Sequence, residues 1–188
     1  MPRYFAFLRA INVGGHVVRM EALRELFAGL GFSGVETFIA SGNVIFQSKS
    51  TKTAELEKRI ERHLAADLGY PVAAFLRNDA ELAAICEYRP FEEEAMRTAG
   101  ALCVGFLAQE MGTAEREALM SLQTGIDTFH VHGRELYRLC RKKQSESTIS
   151  NAFLERKLKV PFTFRSVTTV AKLANAYLPP RRRDAEKT

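Results

Sequence analysis

Arg9, Asn12, Gly14, Gly15 and His16 crowd one short stretch of the chain, between an apolar run at residues 4–8 and an amphipathic segment that starts near Met20. Adjacent glycines let backbone N–H groups come close to a ligand, and a helix that follows directs its positive end to the same place. Arg9 would supply the counter-charge for an anion, and Asn12 or His16 would orient it. Phosphate is the chemistry these residue types suit. The spacing follows neither the Walker nor the dinucleotide-binding pattern, so a plain chain-reversing turn stands beside this reading.

A second locus lies near the C-terminus, where Arg165 precedes Ser166, a good N-cap, and Thr169 and Lys172 fall on the first turns of a closing helix. If that helix packs near the elbow, two positive helix ends would share one ligand. The alternative is that Ser166 only caps the helix while Val170, Leu173, Ala174 and Tyr177 dock it. Ser41 and Asn43, on either side of Gly42, complete the set of ligand-binding candidates.

Other chemistries find less support. His130 and His132 fall on one strand face, but a metal site needs a third ligand and Glu135 is the only near candidate. No G-x-S-x-G nucleophile elbow is present, and no cysteine stands beside a histidine in the sequence. Paired carboxylates are missing near the elbow, since Glu21 and Glu25 lie along a helix as ordinary charges. The run Arg141-Lys142-Lys143-Gln144-Ser145-Glu146-Ser147 would suit phosphate or RNA, or be a solvated loop with Ser147 as N-cap. Phe5, Phe7 and Phe46 would form a base-stacking platform only if exposed; as core filler they need no ligand.

The elements that must position these residues form a doubled pattern. In the first half we expect a strand at 4–8, a helix at 20–30, strands at 35–40 and 44–47, a helix at 53–68 and a strand at 72–76. Leu23, Leu26, Phe27 and Leu30 recur at helical spacing, as do Leu56, Ile60, Leu64 and Leu68. Ser41-Gly42-Asn43 reads as a tight hairpin with Gly42 at positive φ. The second half repeats the order with strands at 102–107, 128–132, 135–140 and 162–165 and helices at 114–122 and 148–158. Gly133 takes the hairpin role there.

The fold class is therefore α+β, two ferredoxin-like βαββαβ units with a C-terminal helix at 167–177. The first unit is expected at 1–77, a connecting segment with a short helix around 80–85 at 78–100, the second unit with the closing helix at 101–178, and a basic, disordered tail at 179–188. In the second hairpin, Phe129, Val131, Leu136 and Cys140 share one face while His130, His132, Glu135 and Tyr137 share the other. In the first hairpin both faces are apolar. The face turned away from the helices needs a cover, from the second unit or another subunit.

With 188 residues, 46% of them hydrophobic, the chain has enough for a real core. No stretch has the form of a secretory leader or the length of a membrane span. Three dispersed cysteines argue for packed, reduced thiols and a cytoplasmic setting. A net charge of +5 suits a polyanionic partner, although Arg181, Arg182 and Arg183 contribute part of it from the polar terminus.

Residues Leu8-Arg9-Ala10-Ile11-Asn12-Val13-Gly14-Gly15 and Ser41-Gly42-Asn43-Val44-Ile45-Phe46 resemble the family known as domain of unknown function 1697. The resemblance extends through Val131-His132-Gly133-Arg134-Glu135, through residues 151–158 and through Arg165-Ser166-Val167-Thr168-Thr169. Where that family's opening carries glycine, this chain has Ala10, and an R-N-W-x-T motif is replaced by Arg165-Ser166-Val167-Thr168-Thr169. The resemblance implies a ferredoxin-like architecture and no activity.

The function expected is binding of a phosphate-bearing or other anionic ligand, a nucleotide or nucleic acid, at the elbow spanning 9–16. The alternatives are an enzyme acting on a small phosphorylated substrate, and a ligand-free interaction module. No metal or membrane is implied, the cofactor is unknown, and a homo-oligomer is compatible with the sequence.

Overall fold

The computed structural model describes residues 1–12 and 14–179; the expected disordered tail falls outside them except for Pro179. The first half runs β1 (Arg3–Arg9), α1 (Met20–Gly29), β2 (Ser33–Phe38), β3 (Ala40–Gln47), α2 (Thr53–Leu68), β4 (Ala73–Asn78) and α3 (Asp79–Glu87). After α4 (Glu93–Thr98) the second half runs β5 (Ala101–Leu107), α5 (Thr113–Met120), β6 (Asp127–His132), β7 (Glu135–Cys140), α6 (Asn151–Leu158), β8 (Phe162–Ser166) and α7 (Val167–Tyr177). Each half forms a four-stranded antiparallel sheet, ordered β2-β3-β1-β4 and β6-β7-β5-β8. These are two ferredoxin-like units, and each is followed by one further helix, α3 or α7.

Alternation along the strands explains how the units meet. Tyr4, Ala6 and Leu8 of β1 face α1 and α2, where Leu23, Phe27, Ile60 and Leu64 complete a first core. Phe5 and Phe7 point the other way, onto Val104, Phe106 and Tyr137 of the second sheet. The Phe7 and Phe106 rings stack with centroids 3.7 Å apart. Leu82 and Ile85 of α3 and Val170 and Leu173 of α7 fill the same layer. The cover that the first sheet needs is thus the second unit. A third core lies between the second sheet and α5 and α6, around Leu119, Phe129, Leu136 and Leu154.

Two elements depart from the sequence expectation at the hairpins and caps. Gly42 is not a turn glycine: it lies inside β3, and the first hairpin turns at Ile39, which takes φ 61° between the paired Phe38 and Ala40. Gly42 is glycine for space, since a Cβ there would stand 2.6 Å from Arg165 Nη2. Helix α6 starts at Asn151 with Ser150 as its cap, not Ser147. The Ser147 hydroxyl instead donates to Asp127, 2.5 Å away, and accepts from the Arg138 guanidinium. Phe46 faces the helices, opposite to Phe5 and Phe7, and all three rings are buried, so they form no base-stacking platform. The second hairpin has the expected register, His130 opposite Tyr137 and His132 opposite Glu135.

The free edge of β4 is closed by side chains of α2. Glu61 accepts from the Ala74 N–H at 3.0 Å and Glu57 from the Leu76 N–H at 2.8 Å, so that edge offers few unpaired groups to another strand. Burial raises the Glu57 carboxyl above its ordinary range, against the pull of the Leu76 amide and of Arg134 and Arg77.

Candidate functional site

The elbow begins where β1 ends. Ala10 takes φ 64°, the left-handed conformation that favours glycine, and Ile11 is buried in the first core. The loop is then tied at three points. Tyr70 donates its hydroxyl to the Ile11 carbonyl at 2.8 Å, the Tyr70 ring stacks on His16 at 3.9 Å, and Asn12 Oδ1 accepts from the Val18 N–H at 2.8 Å. Gly14 and Gly15 take φ 69° and 85° and are exposed, with nothing within 4 Å of a Cβ placed on Gly15. Backbone conformation, rather than crowding, calls for glycine there. Residues 16–19 separate the glycines from the first turn of α1, where Arg19 holds the N-cap position without a side-chain cap bond.

Arg9 does not stand alone at this elbow. Its Nε lies 2.5 Å from Glu155 Oε1 and its Nη2 pairs with Oε2, a two-pronged bridge from β1 to α6 of the second unit. That hydrogen bond is the main cause holding the Arg9 guanidinium in its charged form, and the carboxylate balances the charge.

Arg165 is the centre of the site. From β8 it crosses to the first unit and uses all five of its N–H donors: Nε to Asn43 Oδ1 at 2.7 Å, Nη2 to the Leu8 and Gly42 carbonyls at 2.9 and 2.8 Å, and Nη1 to Thr163 Oγ1 and the Phe164 carbonyl at 2.8 Å each. Asn43 is itself buried and donates to the Phe38 carbonyl at 3.1 Å. Every partner of Arg165 is neutral. Burial brings its pKa down to about 10, so at neutral pH it remains a cation, bonded to the end of β1 that leads into the elbow.

Thr169, Lys172 and Ser41 are the remaining candidates. Thr169 stays within the first turn of α7: its N–H donates to Ser166 Oγ at 3.1 Å, as a capped helix requires. Lys172 is exposed on the same helix, and Ser41 lies in β3. Arg165, Asn43, Gly42 and the end of β1 are brought together; Thr169 bonds elsewhere. His130 and His132 are engaged by Tyr88, whose hydroxyl lies 2.7 Å from His130 Nε2 and whose ring stacks on His132 at 4.0 Å. Among the described residues no three acidic, histidine or cysteine side chains gather as metal ligands.

Arg165 has a counterpart in the first unit that no motif marks. Arg77, fully buried on β4, crosses to the second unit, with Nε 2.6 Å from Glu135 Oε1 and Nη2 on the Leu107 and Arg134 carbonyls at 3.0 and 2.9 Å. Arg134 in turn reaches Glu81 at 2.5 Å and approaches Glu57. The signal was in the repeat. Each unit's fourth strand ends in arginine followed by a helix cap, Arg77-Asn78 before α3 and Arg165-Ser166 before α7.

Comparison with protein families matches residues 1–137, which hold the end of β1 and the Gly42-Asn43 pair that Arg165 bonds. The chain belongs to the protein of unknown function (DUF1697) family. Among solved structures, this DUF1697 chain is similar to the conserved bacterial protein SP0830 from Streptococcus pneumoniae, at 26% identity and a TM-score of 0.70, over 93% of this chain and 97% of that one. Comparison with curated proteins gives no match. Among the described residues no helix is long and apolar enough to cross a membrane.

Proposed function

We propose that this DUF1697 protein acts in the cytoplasm as a binding protein for a phosphate-bearing ligand, a nucleotide or a stretch of nucleic acid, received at the elbow end of the first unit. One observation carries the reading: Arg165, half-buried where β1, β3 and β8 meet, keeps a positive charge that none of its bonded partners neutralises. An anion at the exposed Gly14-Gly15 stretch would gain from that field and from backbone N–H groups, with His16 at its side. Arg165 would act through its charge, since its donors are all spent; Arg9 would join once Glu155 releases it.

The experiment is titration calorimetry with ATP and with a short single-stranded RNA, on the wild type, His16→Ala and Glu155→Gln. Glu155→Gln leaves Arg9 free of its carboxylate and is expected to tighten binding about fivefold, as removal of a partly exposed ion pair allows. His16→Ala is expected to weaken it. A steep loss of affinity with salt selects nucleic acid over the nucleotide. If neither probe binds the wild type or Glu155→Gln, the elbow is a corner that fastens two units and nothing more. That second reading is favoured by the hydrogen bonds Arg9 and Arg165 spend inside the protein.

A further inference from the structure

Away from the elbow, a cavity of about 530 Å³ opens between the second sheet, the segment that joins α3 to α4, and α7. Its volume falls in the range of small-molecule sites. Val104 and Leu102 of β5, Ile85 of α3, Met96 of α4 and Val170 of α7 give it an apolar wall, and Arg89 and Arg97 stand at exposed positions of its lining.

Tyr137 of β7 belongs to that wall, only 2% exposed, and its hydroxyl is buried without a hydrogen-bond partner. A buried hydroxyl left unpaired costs free energy that an apolar side chain of the same shape would not incur. Burial, with the nearby Glu135 carboxylate second, raises the Tyr137 pKa, so the hydroxyl is a proton donor throughout the neutral range. Tyr137 also borders a second, more polar cavity of about 260 Å³, lined by His132, Arg134 and Glu135, which it shares with Ile85 and Tyr88.

We infer that the larger cavity is a binding site for a small, mainly apolar molecule that carries one neutral hydrogen-bond acceptor, a carbonyl oxygen, for the Tyr137 hydroxyl. The acceptor is neutral because a carboxylate would have to leave water for an apolar wall, whereas a carbonyl oxygen loses little hydration there. The hydroxyl is closed to solvent, so the ligand reaches it as the segment between α3 and α4, including Tyr88 and Pro90, gives way.

The test uses three probes of similar shape, acetophenone, ethylbenzene and benzoate, followed by ligand-observed NMR at about millimolar concentration. The wild type is expected to bind acetophenone most tightly. Tyr137→Phe is expected to lower acetophenone affinity about tenfold, to the level of ethylbenzene, whose own binding is unchanged. The variant should melt at or above the wild-type temperature, because it loses only an unpaired hydroxyl. Ala171→Trp, at an exposed position of α7 in the cavity lining, keeps the fold and blocks all three probes. Equal acetophenone affinity in wild type and Tyr137→Phe, or no binding of any probe, overturns the proposal. Benzoate binding as well as acetophenone overturns the neutral acceptor. None of these outcomes bears on phosphate at the elbow.

Discussion

Arg77 and Arg165 occupy corresponding places in the two units, each next to last in its fourth strand and each reaching into the other unit's β-hairpin. Their partners differ. Arg77 meets the Glu135 carboxylate, and the neighbouring Arg134 meets Glu81, so charges at that end are matched. Arg165 meets only an amide, a hydroxyl and carbonyls. Burial lowers the pKa of both guanidiniums, but Glu135 opposes the effect at Arg77, whereas at Arg165 burial alone sets the direction. One fold, used twice, thus has one neutral fastening and one that keeps a positive charge at the strand end leading into the elbow.

The comparison is broken most severely at the ion pair. Arg77→Met strands the Glu135 carboxylate in the interface and is expected to cost about 3–5 kcal/mol in denaturant unfolding. Adding Glu135→Leu should recover most of that loss, because two apolar side chains replace a pair whose desolvation was costly. Arg165→Met leaves neutral acceptors short of donors and removes an unbalanced charge, so it should cost about 2 kcal/mol. Among the described residues Arg165 bonds no carboxylate whose removal could rescue it. An Arg165→Met loss as large as that of Arg77→Met would mean that the two fastenings are energetically alike.

The repeat and both buried faces were legible because they rest on local spacing: Leu56, Ile60 and Leu64 on one helix, Tyr4, Ala6 and Leu8 against Phe5 and Phe7 on one strand. What escaped is long-range. Arg9 finds Glu155, Arg77 finds Glu135 and Arg165 finds Gly42 only after the units dock, and no short window contains both partners. Gly42 misled because glycine serves two needs, a left-handed turn and a close approach, and sequence does not separate them. The true turn residue, Ile39, carries no turn signal at all, and it is exposed with φ 61°. Ala10 was marked by its departure from the family's glycine, and it takes the φ that glycine would favour.

Smaller effects sharpen the contrast between the strand ends. Ala10, just after β1, lies in the left-handed region, while Ala108, just after β5, is not among the described residues with positive φ. Ala10→Gly should therefore raise stability by about 0.5–1 kcal/mol, and Ala108→Gly should bring no gain. In the second hairpin, burial and then the neighbouring His132 charge lower the His130 pKa below its usual 6.5. The unfolded chain then takes up that proton first, so stability falls as pH drops from about 6.5 through the folded value. Melting temperature measured against pH should show a shallower acid loss in His130→Gln than in the wild type.

The most direct measurement follows the side-chain Nε–H signals of Arg165 and Arg77 and the backbone amides of Gly14, Gly15 and His16 by NMR during titration with ATP. Saturable shifts are expected at Arg165 and the three elbow amides, with Arg77 unmoved. No shift at the elbow, or equal shifts at Arg77 and Arg165, would contradict the proposed binding there.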